Sequence, residues 1–562
     1  MATIRFTDIK APAPEMVRIQ EQYASWLNQI TENPAKTLSC IREWDELRRS
    51  LSSWQSLVDL HFNQDTTNAQ FQEARKQCDQ LKPKLTELEV AMKRKLLDSP
   101  HRSMVEQEYG QHVIQLWEVD ILTYDPAIEA DLIRESELEA DYNELLASAE
   151  LKFAGETQNL SSISKFLEDL DRQVRHDADA TRWQWFDNHR QQLDDIFDQL
   201  VHLRHGMAQQ LGFENYIELG YKRMTRVDYG MEDVERYREA VRTEVVPLAE
   251  QLLAKQEKRL GLPAGELRHW DEPIYDLKGN PKPDSDYDKL IQMAQAIFDD
   301  MGYGLDDFFR MMQDADLMDL KIRSGKAGGG FCTSFDSYGI PFIFANFNGT
   351  KGDVEVFTHE MGHAFQAYMS RDQPLYDYLW PTYESCEIHS MGLEFLTYPY
   401  MERFFGDEAQ RFRTIHLTQS LLFLPYGVAV DHFQHLVYAN PDASADERFG
   451  FWQQMEERYL PWRKYGDLRH PANGGRWQLQ RHIYLSPFYY IDYTLAQTCA
   501  LQFWLKATHD RENTMNEFVA LCRRGGEAAF QDLAQSAQLI SPFEEGCLTK
   551  VIEQAQQALL AD

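Results

Sequence analysis

Only one stretch of this chain reads as strand. Residues 316–348 hold KAGGGFCTSF and GIPFIFANF, aromatic and β-branched runs broken by Gly and Pro, the composition of short strands in a small sheet. Nearly everything else carries helical periodicity. Residues 1–225 look almost wholly helical: in 67–97, Phe71, Cys78, Leu81, Leu85 and Leu88 recur at helical spacing with Lys, Glu and Gln between them. A second amphipathic run covers 231–260. Residues 261–287, GLPAGELRHWDEPIYDLKGNPKPDSDY, are rich in Gly, Pro and Asp and read as a loop or lobe connection. Helical texture returns at Asp353 and lasts to the end. The expected fold is therefore mostly α-helical, with one small β-sheet just before residue 353. The length of 562 residues allows about three to four domain-sized units or one continuous multi-lobed protein.

The segment after the sheet carries the chemistry. His359-Glu360-Met361-Gly362-His363 is an HExxH motif inside DVEVFTHEMGHAFQAYM. Val354, Phe357, Met361, Ala364 and Tyr368 make one apolar stripe, and Asp353 is placed to cap the helix. Residues i and i+4 share a helix face, so both imidazoles can reach one metal ion. Glu360 sits one position on, where its carboxylate meets a water in the ion's open position rather than the ion. A catalytic zinc needs a third protein ligand. The segment YESCEIHSMGLEFLTYPYMERFF offers Glu384, Glu387, Ser390, Met391 and Glu394 on roughly one face of a helix. Three carboxylates beside Leu393, Phe395 and Leu396 are costly without a cation. Spacing alone leaves the choice among them open.

Composition narrows the partners. Ninety Asp and Glu against 57 Lys and Arg give a net charge of −33, a field that repels phosphate backbones and argues against nucleic acid. The seven cysteines, at positions 40, 78, 332, 386, 499, 522 and 547, are odd in number and form no CxxC pair. That usage suits free thiols in a reducing cytoplasm. MATIRFTDIKAPAPEM lacks the charged and apolar regions of a signal peptide. The most apolar stretch, LSPFYYIDYTLAQTCALQFWL at 485–505, contains Asp492, Gln497 and Gln502 and reads as a buried helix rather than a membrane span. His432 and His435 are spaced for chelation but lack an acidic partner pattern, so a packed helix is the reading there. Cys332 and Cys386 fall in the two site-forming segments and, without a paired base, read as small buried hydrophobes.

HEMGH followed by EIHSMGLE resembles the thimet oligopeptidase and oligoendopeptidase F family of zinc peptidases, with the texture of the oligoendopeptidase F branch. In that pattern HExxH is followed, some two dozen residues on, by Glu, then Ser three and Glu seven positions later. Glu387, Ser390 and Glu394 fit it, whereas Glu384 does not. The resemblance thus implies His359, His363 and Glu387 as ligands of one Zn²⁺, with Glu394 orienting a ligand imidazole and His389 either supporting or incidental. KAGGGFCT resembles the family's Gly-rich strand lining the cleft. NFNGTKGDVEVFTHE resembles the approach to the motif helix, and LGFENYIELGYKRMTRVDY at 211–229 a helical segment of the family. RHIYLSPFYYIDYTLAQ, 481–497, matches a His- and Tyr-rich helix that faces the zinc, which implies Tyr493 as oxyanion donor, with His482 and Tyr490 next to it. LSPF replaces the Gly-rich stretch found there in the thimet branch.

The resemblance covers 200–562 with specific motifs, while 1–200 match only in being helical and acidic. It implies an N-terminal helical lobe at 1–200 and a catalytic domain at 201–562 carrying the sheet and the zinc site. The implied architecture is a two-lobed zincin with a deep channel, and the implied activity is cleavage of internal bonds in short unstructured peptides, with Glu360 as general base. Two rivals stand beside it. A zinc carboxypeptidase or other exopeptidase on a related helical fold needs a clamp for a terminal charge. A helical scaffold with a structural metal calls for a closed, Cys-rich ligand set, and no Cys-rich set flanks this motif.

Overall fold

The computed structural model describes residues 4–283 and 287–560, and it is overwhelmingly helical. Two sheets interrupt the helices. One is a hairpin of β1 (Leu151–Phe153) and β2 (Glu156–Gln158), which corrects the reading of 1–225 as helix throughout. Ala154 and Gly155 make the turn at φ of +52° and +79°, the left-handed pair that a two-residue hairpin requires. The other sheet lies where the sequence placed it: β3 (Met318–Lys321), β4 (Phe331–Phe335) and β5 (Ile340–Phe347), in the order β3-β5-β4. β3 is parallel to β5 and β4 antiparallel to it. The central strand β5 is buried at all but one position, so its IPFIFANF run is continuous rather than alternating.

Residues 231–260 form one helical run with a π-turn at Val241–Val245 inside it. Pro247 stands two residues after it; its ring and missing N–H disturb the ladder of the turn before it. Before Tyr287, where the helix Tyr287–Met301 begins, the described part of 261–287 has no helix beyond the short turn His269–Asp271, and 284–286 lie outside the described residues. Apolar side chains gather into two cores. The smaller contains Tyr23, Trp26, Trp44, Trp54 and Trp117 from the N-terminal helices, closed by Leu375 and Tyr378. The larger contains the sheet and the remaining helices.

Five helices position the site. Helix α1 (Pro34–Gln64) lies against β4, with Thr333 Oγ1 donating to Ser56 Oγ at 3.0 Å and Ser337 N–H to Ser53 Oγ at 2.9 Å. Helix α2 (Lys351–Met369) leaves β5 after three residues and carries HExxH. Its N-cap is Thr350, not Asp353. Asp353 stands inside the first turn and reaches back, accepting the N–H groups of Asn348 at 2.9 Å and Gly349 at 2.6 Å. The carboxylate so placed still suits the positive helix end. Val354, Phe357, Met361 and Ala364 are fully buried, with Tyr368 at the edge of the core. Helix α3 (Tyr383–Leu396) crosses α2, and α4 (Ala409–Ala439) and α5 (Tyr490–His509) close round them. Every residue of α5 from Ile491 to Trp504 is buried except Tyr493. Asp492 tolerates burial through an ion pair with Arg226 at 2.7 Å. Among the described residues no helix is long and apolar enough to cross a membrane.

Candidate metal centre

Gly362 decides how closely the two ligand helices meet. A Cβ there would stand 2.4 Å from the His389 carbonyl oxygen and 2.6 Å from Ser390 Cα, both main-chain atoms of α3. Only glycine lets α3 lie against α2 at this point. The approach brings Glu387 Oε2 to 3.2 Å from His359 Nε2 and 3.3 Å from His363 Nε2. Gly362→Ala is expected to force the helices apart and cost about 3 kcal/mol, at the upper end of overpacking. A lower thermal midpoint together with faster metal loss on dialysis would show it.

Glu387 and His359 are each oriented by neighbours, whereas His363 Nδ1 is buried with no hydrogen-bond partner. Ser390 Oγ donates to Glu387 Oε2 at 2.8 Å, and the Tyr489 hydroxyl donates to Glu387 Oε1 at 3.0 Å. Glu394 accepts from His359 Nδ1 at 2.7 Å through Oε1 and pairs with His416 Nε2 at 2.6 Å through Oε2. His416 Nδ1 in turn lies 2.7 Å from the Tyr398 hydroxyl. Burial opposes the charge on Glu394, yet the bonds from His359 and His416 hold its carboxyl down to about 2. Burial opposes the charge on Glu387 too, and the two imidazoles hold it well below the usual range. Sequence reasoning missed His416 and Tyr398. His416 follows Glu394 by 22 residues on another helix, and no spacing rule connects them.

The three carboxylates of α3 part company. Glu387 and Glu394 both reach His359, while Glu384 is buried beside Asp492 and Arg226; burial first, then the Asp492 charge, push its carboxyl well up. His389 is fully buried with Nδ1–H on the Ser385 carbonyl at 2.8 Å, and burial lowers its pKa to about 4. Glu360 is 6% exposed, its Oε2 has no hydrogen-bond partner, and burial pushes its carboxyl upward. Beside it, Gly330 leaves room: a Cβ there would lie 2.9 Å from Val356 Cγ1 and 3.5 Å from Glu360 Oε1.

The His and Tyr segment collects as one aromatic group. The His482 ring lies 5.8, 5.1 and 5.7 Å from the rings of Tyr489, Tyr490 and Tyr493, and Tyr489 and Tyr493 are 4.8 Å apart. Tyr426 donates to Gln480 Oε1 at 2.8 Å, which fixes that amide so that its Nε2 donates to His482 Nδ1 at 2.8 Å. The proton of His482 therefore sits on Nε2. Burial lowers the His482 pKa to about 4, so the ring is neutral at pH 7. The Tyr493 phenol is pushed up by burial and then by the charge of Glu387, which keeps its O–H as a donor.

His432 and His435 do not converge on a metal. His432 Nδ1 meets the Tyr459 hydroxyl at 2.9 Å, and His435 packs with Tyr221, Arg238 and Asp431. All seven cysteines are free. Cys332 and Cys386 are only half-buried, unlike the buried hydrophobes expected, yet burial raises both thiols, so neither is a ready thiolate.

His359, His363 and Glu387 are, among the described residues, the one group of three or more His, Cys, Asp or Glu side chains that could hold a metal. Ligand atoms about 2.05 Å from a tetrahedral zinc stand about 3.3 Å apart. The observed 3.2 and 3.3 Å separations fit that requirement. The donor set, two imidazoles and a carboxylate, is one that catalytic zinc takes with a fourth position open.

The sequence pattern of peptidase family M3 matches residues 165–551, and that of the peptidase M3 N-terminal domain residues 6–124. A solved structure described as a putative oligoendopeptidase F is 41% identical, with TM-score 0.95 over 100% of this chain and 99% of that one. PZ peptidase A with an inhibitor is 39% identical, with TM-score 0.94 over 98% of each chain. A putative oligoendopeptidase F from Bacillus anthracis str. Ames is 39% identical, with TM-score 0.90 over 100% of this chain and 98% of that one. No curated protein sequence matches.

Proposed function

The chain belongs to peptidase family M3, and from that premise we propose that this metallopeptidase uses one zinc ion to cut internal bonds of short unstructured peptides. The observation that carries the reading is the trio of ligand atoms at zinc spacing with the partnerless Glu360 carboxylate next to it on α2. Bound zinc supplies a Lewis acid that brings the pKa of a water near neutrality. Glu360 takes a proton from the attacking water at Oε2, the oxygen with no partner, and delivers it to the leaving amine. The Tyr493 hydroxyl donates to the carbonyl oxygen as it gains charge. His482, neutral and protonated on Nε2, is a second donor beside it, and Tyr490 packs against the Tyr493 ring at 5.7 Å.

Glu394 fixes the His359 ring and its tautomer through the 2.7 Å bond. Glu394→Gln is expected to weaken zinc affinity about 10–100-fold, measured by competition with a chromophoric chelator. We also read residues 1–200 as a helical lobe and 201–562 as the catalytic unit. The two family matches, which end at 124 and begin at 165, and the separate small core of the N-terminal helices support two such units with a join before residue 165, since residue 200 falls inside the helix Arg172–Gln210. Seven free thiols favour a cytoplasmic setting.

The test is an internally quenched peptide of about ten residues, blocked at both ends. Cleavage inside the peptide that a chelator stops and added Zn²⁺ restores is the expected result. An exopeptidase would leave a blocked peptide intact while trimming a free one. A scaffold would leave both intact.

A further inference from the structure

We propose that Arg226 is a positioning residue for the reaction: it holds Phe488 in a strained turn that aims Tyr489 and Tyr493 at the metal centre. The inference rests on the peptidase reading above. Phe488 is fully buried and sits at φ +67°, a left-handed conformation that a bulky residue adopts only when its surroundings force it. The surroundings here are specific. The Phe488 N–H donates to Gln434 Oε1 at 2.9 Å, and its carbonyl accepts from Arg226 Nη2 at 2.6 Å. Its ring fills the space left by a missing side chain at Gly220, where a Cβ would stand 2.5 Å from Phe488 Cδ2. Backbone and ring are therefore gripped from three sides.

The turn matters because of what flanks it. Before it, the short helix Arg481–Leu485 carries His482. After it, α5 begins with Tyr490. The reversal at Phe488 folds one onto the other, which sets the His482 ring 5.1–5.8 Å from those of Tyr489, Tyr490 and Tyr493. Tyr489 itself bonds Glu387 at 3.0 Å. The same Arg226 Nη2 that holds Phe488 also binds Asp492 Oδ1 at 2.7 Å, and the Tyr229 hydroxyl reaches that oxygen at 3.3 Å. Asp492 immediately precedes Tyr493. One nitrogen thus fixes both the turn and the first turn of α5.

Stability does not account for this arrangement. Arg226 is fully buried, stacked on Tyr221 at 4.4 Å, and its Nε and Nη1 have no hydrogen-bond partner. A buried ion pair with orphaned donors contributes no more stability than well-packed apolar residues would. A strained turn held by a costly clamp beside the tyrosines points to pre-organisation.

The test compares kcat, KM and zinc content in Arg226→Met, Arg226→Lys, Tyr493→Phe and the double variant Arg226→Met/Tyr493→Phe, on the blocked quenched peptide. Arg226→Met is expected to lower the zinc-saturated kcat about 10–100-fold with KM within about threefold. Arg226→Lys should recover most of that loss, because both contacts come from a single nitrogen. The double variant should be about as slow as Tyr493→Phe alone. Multiplicative losses in the double variant, or a lower melting point with normal kcat in Arg226→Met, would overturn the proposal. If Arg226→Met fails to fold, Gln434→Met, which releases the N–H side of the turn, gives the same comparison, with about a tenfold loss of kcat expected and an unchanged kcat overturning it. An inactive wild type would instead indict the peptidase reading itself.

Discussion

Glu360→Gln is expected to lower kcat about 10⁴-fold, the upper end for loss of a positioned general base, while the zinc content stays at one ion per chain. The substitution keeps shape and removes only the ability to take a proton. Glu360 has no structural duty to mask the result: its Oε2 bonds to nothing, and the ligand trio is complete without it. Burial pushes its carboxyl upward, toward the working pH, which is the direction a base needs for a balanced proton transfer. Turnover on the quenched peptide and metal analysis of the same sample check both halves. Retained turnover would remove Glu360 from the role of base.

Tyr493→Phe is expected to lower kcat about 10²–10³-fold with KM little changed, the loss that follows removal of one oxyanion donor. Tyr493 is the single residue between Ile491 and Trp504 that is not buried, and its phenol stays protonated under burial and the Glu387 charge. Tyr489→Phe makes the contrast. Its hydroxyl already bonds Glu387, so that variant should lose metal more readily and keep most of its zinc-saturated kcat. Equal kcat losses in the two variants, with normal zinc affinity in both, would contradict this division of labour.

Much of the site was legible because it is local. Two imidazoles four residues apart share a helix face in any α-helix, and the apolar stripe from Val354 to Ala364 says which face is buried. The small sheet declared itself through Gly-punctuated aromatic runs. The β1–β2 hairpin did not, because LKFAGETQ is eight residues with a turn that any helical neighbourhood hides. The helix begins three residues before the expected cap: Asp353 lies inside the first turn and binds the N–H groups of Asn348 and Gly349 in the preceding loop, not those of the helix's first turn. Glu387 needed the family pattern, as spacing alone left three carboxylates open.

The sequence by itself determined the helical character, the HExxH face and the position of the sheet, because each follows from neighbours within a few residues and from hydrophobic period. Tertiary structure alone decided that His416 and Tyr398 extend the chain of bonds behind His359, and that Arg226 reaches Asp492 across 266 residues of sequence. Those contacts depend on how closely helices cross. That distance is set by a missing methyl group at Gly362 and a strained residue at Phe488, whose consequences appear only when remote segments pack against them.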